Sequence, residues 1–198
     1  MTAPVIVWLR RDLRLADQAA IAAAVASGAP VIPVYILDDD TPKHRKMGAA
    51  SRWWLHQSLA SLERALLDKG SRLVIRRTKD SGAELRKLIK ESGATAVYWS
   101  RRYEPLVIAR DQLIKQNLRD AGIEARSFNA ALLVEPWDVQ NNSGKPFQVF
   151  TPYWRKVSAT LELPKPLATP ARIPAPSTWP ASTELDALKL LPKIHWYS

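Results

Sequence analysis

Three arginines and one aspartate follow the first apolar run of the chain, within the stretch Trp8-Leu9-Arg10-Arg11-Asp12-Leu13-Arg14-Leu15. The apolar run, residues 5–9, is typical of a strand that is buried on both faces. In open α/β sheets, ligands and partners bind at the carboxyl ends of the strands. These charged side chains are therefore predicted to lie at a functional edge of a sheet. A dinucleotide-binding loop would carry glycines at this point, and this loop has none.

Further charged residues follow the other predicted strands and reach the same edge. Asp38, Asp39 and Asp40 come directly after the second apolar run, and a basic loop over 41–47 leads into a long helix. The set predicted at the edge is Arg10, Arg11, Arg14, Asp38, Arg52, Arg101, Arg102 and Glu104. Ordinary surface ion pairs would explain such a set, and each contributes roughly 0.2 to 1 kcal/mol. The functional alternatives are a pocket for an anionic or heteroaromatic ligand, or a docking face.

Trp53 and Trp54 lie at the start of the long helix, near the same edge. Adjacent residues of a helix point about 100° apart, so both indoles cannot enter the core. One of them is expected to face a loop or a partner. His56, on the same helix, is expected to be structural.

Five predicted strands alternate with four predicted helices. The strands span 5–9, 31–37, 73–75, 96–99 and 123–128, and the helices span 19–26, 48–69, 81–93 and 105–121. Asp17 is expected to cap the first helix, and Ser81-Gly82-Ala83-Glu84 has the form of a capping box for the third. The alternation predicts right-handed crossovers. The predicted fold class is α/β, a doubly wound, Rossmann-like five-stranded parallel sheet with helices on both faces, forming a domain over 1–133.

Residues 134–198 differ in character from the predicted domain. From Leu163 to Pro192 the chain carries prolines at 164, 166, 170, 174, 176, 180 and 192 among Ala, Ser and Thr. This composition is typical of an extended linker. We therefore expect a connecting segment and a Pro-rich interdomain linker over 134–198, leading to a C-terminal domain that this chain lacks.

Composition narrows the classes of function. The chain has 198 residues, 46% of them hydrophobic, and a net charge of +10, which favours a polyanionic partner such as nucleic acid or else a solvated basic surface. No apolar run is long enough for a membrane helix, no signal peptide is evident, and a cytoplasmic location is expected. The sequence has no cysteine and no P-loop, dinucleotide or nucleophile-elbow motif. Neither a metal site nor catalytic residues are predicted in this chain.

Three stretches together resemble the N-terminal domain of the DNA photolyase and cryptochrome family. They are Trp8 to Leu15, then Val97-Tyr98-Trp99 with Arg102-Tyr103-Glu104-Pro105 and Ala109-Arg110-Asp111, and finally Phe147-Gln148-Val149-Phe150-Thr151-Pro152-Tyr153-Trp154. The resemblance implies a two-domain flavoprotein that absorbs blue or near-ultraviolet light. In photolyases the reduced flavin donates an electron to a pyrimidine dimer in damaged DNA. The dimer then splits, and the flavin recovers the electron. FAD would bind in the absent C-terminal helical domain, so the isolated chain is not expected to be catalytic.

The resemblance also implies an antenna chromophore site in this domain. The expected binding residues are Tyr35, Ile36, Leu37, Asp38, Met47, Arg52, Arg101, Arg102 and Glu104. The antenna expected first is methenyltetrahydrofolate, with FMN, 8-hydroxy-5-deazaflavin or no antenna as alternatives. The chain departs from two antenna-binding patterns of the family. Arg102 stands where deazaflavin-binding members carry an acidic residue, and Leu106-Val107 stands where some folate-binding members carry an Asn-Glu pair. Asp17-Gln18-Ala19 likewise replaces the usual Asp-Asn-Pro.

Docking to the helical domain is the role expected for the first loop. The residues expected to dock are Arg10, Arg11, Asp12 and Arg14, together with Phe150, Tyr153 and Trp154. Complete burial of Asp12 and its neighbouring arginines would contradict this role. The alternatives to a photolyase domain are a cryptochrome-type photoreceptor domain and a standalone Rossmann-like module that binds nucleotides or nucleic acid.

Overall fold

The computed structural model describes residues 2–39, 46–162, 164–192 and 194, and it contains one five-stranded sheet. The strands are β1 (Val5–Leu9), β2 (Val31–Leu37), β3 (Val74–Arg77), β4 (Ala96–Ser100) and β5 (Glu124–Phe128). The helices are α1 (Ala19–Ala26), α2 (Ala49–Leu67), α3 (Ser81–Ser92), α4 (Pro105–Asp120) and α5 (Phe150–Thr160). A 3-10 turn spans Leu185–Leu188. All neighbouring strands pair in parallel in the order β3-β2-β1-β4-β5, which confirms the predicted fold class.

The central strand β1 is buried along its whole length, as its continuous apolar sequence predicts. Because side chains alternate across a strand, Val7 and Leu9 enter a cluster with α1 and α2. Ile6 and Trp8 enter a second cluster with α3 and α4. The sheet therefore has a hydrophobic layer on each face. Leu55, Leu59, Leu62 and Leu66 form a stripe along α2 that is buried in the first of these clusters.

Two helix caps lie one residue away from their predicted positions. Gln18, not Asp17, caps α1, because its side-chain oxygen accepts a hydrogen bond from the second N–H of the helix at 2.8 Å. Asp17 has a left-handed backbone (φ 51°), and its carboxylate accepts from the N–H of Leu167 instead. Asp80, not Ser81, caps α3, since its carboxylate accepts from the N–H three residues along the chain at 3.0 Å. Both predictions were wrong for the capping residue but right for the start of the helix.

The Pro-rich residues 164–192, which we call the strap, run in a largely extended conformation along the domain. The strap nevertheless contributes Ile173, Leu188 and Leu190 to the core on the α1 and α2 face. Its backbone is tied to strand β2, where Pro174 accepts a hydrogen bond from the N–H of Val31 at 2.7 Å. The strap thus packs as part of the α/β domain, although its sequence is typical of a linker. The predicted domain boundary at residue 133 stays a prediction.

Helix α5 was not predicted from the sequence. It is short, and only Val157 is buried among its residues, whereas Phe150 and Trp154 are largely exposed. A helix that presents its aromatic side chains to solvent lacks the core-facing periodicity by which helices are recognised. Within the described parts of the chain, no helix combines the length and apolar character needed to cross a membrane.

Replacing Ile173 with alanine tests whether the strap belongs to the folded domain. Ile173 is completely buried, so Ile173→Ala is expected to lower the free energy of unfolding by about 2 to 5 kcal/mol. Urea unfolding followed by tryptophan fluorescence measures this change. The matched control is Leu167→Ala, since Leu167 lies in the same strap and is 43% exposed. Equal stability of the two variants would show that the strap does not contribute to the core.

Candidate functional site

The first loop begins with a buried arginine. Arg10 leaves the end of β1 with a side chain that is only 5% exposed, and its guanidinium pairs with Asp111 of α4 at 2.5 Å. A second nitrogen of the guanidinium donates to the carbonyl of Ser100, at the end of β4. Burial lowers the pKa of Arg10 from its ordinary value, and the carboxylate of Asp111 opposes that shift. Arg10 therefore joins two strands and a helix. It was expected to take part in docking, but its buried side chain is not available for that role.

A second arginine extends this ion-pair network to strand β2. Arg110 donates to Asp38 at 2.5 Å and to Asp111 at 3.0 Å. Its guanidinium lies 5.3 Å from the ring centroid of Trp8, and that of Arg10 lies 4.7 Å from the same ring. Asp38 also accepts a hydrogen bond from the hydroxyl of Ser81, at the start of α3. The network holds β1, β2, α3 and α4 together at the carboxyl edge of the sheet.

Above this network lies a small cavity of about 120 Å³, which we call the inner pocket. It is lined by Trp8, Arg10, Arg11, Tyr35, Ile36, Asp38, Asp39, Met47 and Arg102. Burial, followed by the nearby carboxylates of Asp38 and Asp39, raises the pKa of Tyr35, so its hydroxyl stays protonated. The inner pocket thus brings together five of the residues predicted to bind an antenna, namely Tyr35, Ile36, Asp38, Met47 and Arg102.

A larger cavity of about 830 Å³ adjoins the inner pocket, and we call it the aromatic groove. The two cavities share Arg10, Arg11, Tyr35 and Met47, and the groove adds Leu13, Arg14, Ala50, Ser51, Trp53, Trp54, Leu55 and Ser58. Trp53 is partly buried and Trp54 is 67% exposed, as expected for adjacent helical residues. Their ring centroids lie 6.2 Å apart. The groove is large enough for a drug-sized ligand and offers indole surface for contact with a planar one.

Four predicted antenna residues lie outside both cavities. The side chain of Leu37 is buried in the core, and Arg52 bonds to Asp39 and to the backbone of the strap. Arg101 and Glu104 line a neighbouring cavity of about 370 Å³ together with Arg11, Asp12, Arg14 and Arg102. Arg101 is held there by Glu135, whose carboxylate also accepts from the hydroxyl of Tyr103 at 2.9 Å.

Sequence reasoning missed several residues of the site. Arg110 and Asp111 were not predicted to lie at the edge, although both belong to the helix that directly follows the fourth strand. Glu135 was assigned to the connecting segment, yet it is 7% exposed and anchors Arg101. The available signal for Arg110 and Asp111 was their position in the first two turns of α4, the helix that begins at the carboxyl end of β4.

The residues predicted to dock differ in exposure. Arg11 is 75% exposed along its side chain and pairs with Glu104 at 3.0 Å. Arg14 is exposed as well, whereas Asp12 is partly buried and accepts a hydrogen bond from the backbone N–H of Arg10. On α5, the rings of Phe150 and Trp154 are nearly parallel, with centroids 6.2 Å apart. Both rings are at least half exposed, and Tyr153 is partly buried beside Phe150.

Fold and site together define a Rossmann-like α/β domain with cavities at the carboxyl edge of its sheet. Residues 5–175 match the family model for DNA photolyase, and the chain therefore belongs to the DNA photolyase family. It is 48% identical over 196 residues to the deoxyribodipyrimidine photo-lyase of Agrobacterium fabrum, covering 98% of this chain and 40% of that protein. The crystal structure of a bacterial class III photolyase from Agrobacterium tumefaciens superposes with a TM-score of 0.90 at 47% identity, covering 98% of this chain and 39% of that one.

Cryptochromes are also relatives of this chain. Cryptochrome-1 of Arabidopsis thaliana is 41% identical over 169 residues, which cover 85% of this chain and 25% of the cryptochrome. The chain thus spans no more than about 40% of the length of these relatives. It corresponds to the α/β domain that the family places at the N-terminus.

Removing Arg102 is expected to change the titration of Glu104. Hydrogen bonds from Arg102 hold the pKa of this carboxyl at about 2, below its ordinary value of 4.5, and Arg11 adds a smaller effect. A lowered pKa means that the interaction is fully present above pH 4.5 and is lost as the pH falls toward 2. In Arg102→Gln the pKa of Glu104 should rise toward 4.5, as measured by NMR titration of the carboxyl carbon.

The control for this titration is Arg11→Gln, which should raise the pKa of Glu104 by less. Because the Glu104 side chain is 41% exposed, the titration is a better measure than stability, to which an exposed pair contributes little. An Arg102→Gln variant in which Glu104 still titrates near pH 2 would contradict the assigned cause.

Proposed function

We propose that this chain is the antenna domain of a light-dependent DNA-repair photolyase, and that its chromophore occupies the aromatic groove and the inner pocket. The observation that carries the proposal is the junction of these two cavities at the carboxyl edge of the sheet, between the indoles of α2 and the arginines of the first loop. A planar heteroaromatic ring stacks on exposed indole surface, and a guanidinium recognises an anionic group. Both features suit an antenna cofactor.

The exposed guanidinium of Arg11 is the group best suited to meet an anionic ligand. It lines the inner pocket, the aromatic groove and the neighbouring cavity, and it has only the exposed Glu104 as an ion-pair partner among the described residues. Arg10 and Arg110, by contrast, are largely buried and are committed to the carboxylates of Asp38 and Asp111. Methenyltetrahydrofolate combines a planar pterin with an anionic glutamate tail, so it is the antenna that we propose first. FMN and 8-hydroxy-5-deazaflavin are the alternatives.

In the whole protein, the domain collects light and the flavin performs the chemistry. When bound, FAD would supply the one-electron chemistry that splits a pyrimidine dimer in DNA, and residues of the helical domain outside this chain would hold it. The residues of this chain bind and orient the antenna and keep water from its buried side. A cryptochrome-type photoreceptor is the second candidate, favoured by the 41% identity to the plant cryptochrome. Antenna binding is compatible with both.

Filling the aromatic groove tests the antenna site. In Ala50→Trp, an indole replaces a methyl group on the wall of the groove, and binding of methenyltetrahydrofolate is expected to fall at least about tenfold. The measurement is a titration of the purified 198-residue chain, followed by absorption beyond the tryptophan band. FMN and 8-hydroxy-5-deazaflavin are titrated in parallel.

The matched control is Gln57→Trp, which adds the same side chain at an exposed position of α2 that does not line the groove. The control should bind like the unaltered chain. If none of the three compounds binds the unaltered chain, or if Ala50→Trp binds as well as the control, the antenna site is assigned wrongly.

We further propose that the exposed aromatic rings of α5, with Arg11, Asp12 and Arg14, meet the helical FAD domain. Exposed apolar patches of this kind mark interaction sites, and aromatic residues dominate the energy of buried interfaces. Phe150 and Trp154 are 68% and 50% exposed and stacked on each other, so they form one continuous apolar surface.

A chimera tests this docking surface. The chain replaces the matching 40% of the Agrobacterium fabrum photolyase, and FAD retained after gel filtration is measured by absorption. The double substitution Phe150→Ser and Trp154→Ser is expected to lower FAD retention, since each buried aromatic contributes about 2 kcal/mol to an interface. Leu113→Ser, at a residue 62% exposed on α4, is the control. Equal FAD retention in both chimeras would show that α5 lies outside the interface.

A further inference from the structure

Arg52 connects the strap to the wall of the inner pocket. One guanidinium nitrogen of Arg52 pairs with the carboxylate of Asp39, and the other donates to the carbonyl of Lys189 at 3.1 Å. The second oxygen of Asp39 accepts from the backbone N–H of Met47 at 3.0 Å. Asp39 and Met47 both line the inner pocket, whereas Arg52 lines neither the pocket nor the aromatic groove.

We propose that Arg52 is a positioning residue for the antenna site, and that residues 185–190 of the strap hold it in place. The inference rests on the proposed function, because it takes the inner pocket to be part of a chromophore site. It differs from the expected role of Arg52, which was direct contact with the chromophore. The strap thereby becomes a part of the light-collecting site, although its residues do not reach either cavity.

The carbonyl that Arg52 contacts is itself rigidly held. Leu188 and Leu190, on either side of Lys189, are 0% and 2% exposed. Lys189 between them has a left-handed backbone (φ 53°), a conformation that a non-glycine residue keeps only when the surrounding structure enforces it. The two buried leucines enforce it here. The carbonyl of Lys189 is therefore a hydrogen-bond acceptor with a fixed position.

The chemistry of the connection requires an arginine. The Asp39 side chain is 7% exposed and that of Arg52 is 23% exposed, so their ion pair is largely shielded from water. A guanidinium can donate to a carboxylate and to a carbonyl through separate nitrogens of one planar group. A lysine keeps the charge but places it on a single nitrogen, which cannot reproduce this fork. Loss of the bond to Lys189 leaves Arg52 less firmly placed, and loss of the bond to Asp39 removes the charged partner of the carboxylate that holds the backbone N–H of Met47.

Coupling between the strap and the pocket must act in both directions. If the position of the strap affects the affinity of the pocket, then a bound chromophore stabilises the strap by the same free energy. Arg52→Lys is expected to weaken binding of methenyltetrahydrofolate about tenfold, the effect of losing one charge-assisted hydrogen bond. It should also speed hydrogen exchange of the Met47 amide in the chain without ligand.

The experiment compares Arg52→Lys with Arg64→Lys in the 198-residue chain. Arg64 is exposed on the same helix, so the control makes the same chemical change away from the pocket. Leu188→Ala is the second variant, because it loosens the strap and leaves Arg52 unaltered. Affinity for methenyltetrahydrofolate and FMN is measured by absorption, and exchange of the Met47 amide is measured by NMR.

Weaker binding and faster Met47 exchange in both Arg52→Lys and Leu188→Ala, with Arg64→Lys unchanged, would support the proposal. Unaltered affinity and unaltered Met47 exchange in Arg52→Lys would overturn it and leave the antenna function intact. If the unaltered chain binds neither compound, the antenna function fails for those ligands, and Met47 exchange alone decides the coupling. Faster exchange in Arg52→Lys than in Arg64→Lys then supports it, and equal exchange refutes it.

Discussion

Arg10 carries its charge at the end of the central strand, where 5% of its side chain reaches solvent. An unpaired charge at such a position costs several kcal/mol, so the fold must supply a partner. Asp111 supplies it from α4, and the carbonyl of Ser100 supplies an acceptor from β4. The ion pair therefore fixes the position of α4 relative to the sheet. The inner pocket lies beside this pair, because the side chains around it are anchored to the same network.

The network also explains how the edge accommodates so many charged side chains. Arg110 bonds to Asp38 and Asp111, so two arginines and two carboxylates share their hydrogen bonds across β1, β2 and α4. Both guanidinium groups lie near the ring of Trp8, which adds cation–π attraction in a shielded place. Charges paired in this way hold a shape rather than bind a ligand. In the proposed antenna site, recognition of an anion is therefore assigned to the exposed Arg11.

The centre of the sheet could be predicted because β1 and β2 are continuous buried apolar runs, and the edge could be predicted because parallel strands end on one side. Details that depend on distant residues could not. Arg52, near the start of α2, was expected in the pocket because the family resemblance implied it, but its partner Lys189 is 137 residues away. Ile173 was assigned to a linker because prolines surround it, and a single buried side chain in an extended segment leaves no periodic pattern. Helix α5 was missed because its aromatic residues face outward.

A domain that collects light has to hold its chromophore in one orientation, because energy transfer depends on the angle between donor and acceptor. Orientation is best provided by groups that are already fixed before the ligand binds. The ion pairs of Arg10 and Arg110 supply such fixed groups, and the indoles of α2 supply a surface that accepts a planar ring. The strap contributes to this fixed arrangement. Buried Leu188 and Leu190 hold the carbonyl of Lys189, which accepts a hydrogen bond from Arg52, and Arg52 in turn pairs with Asp39. A segment with the composition of a linker thus contributes to the rigidity that the proposed antenna site requires.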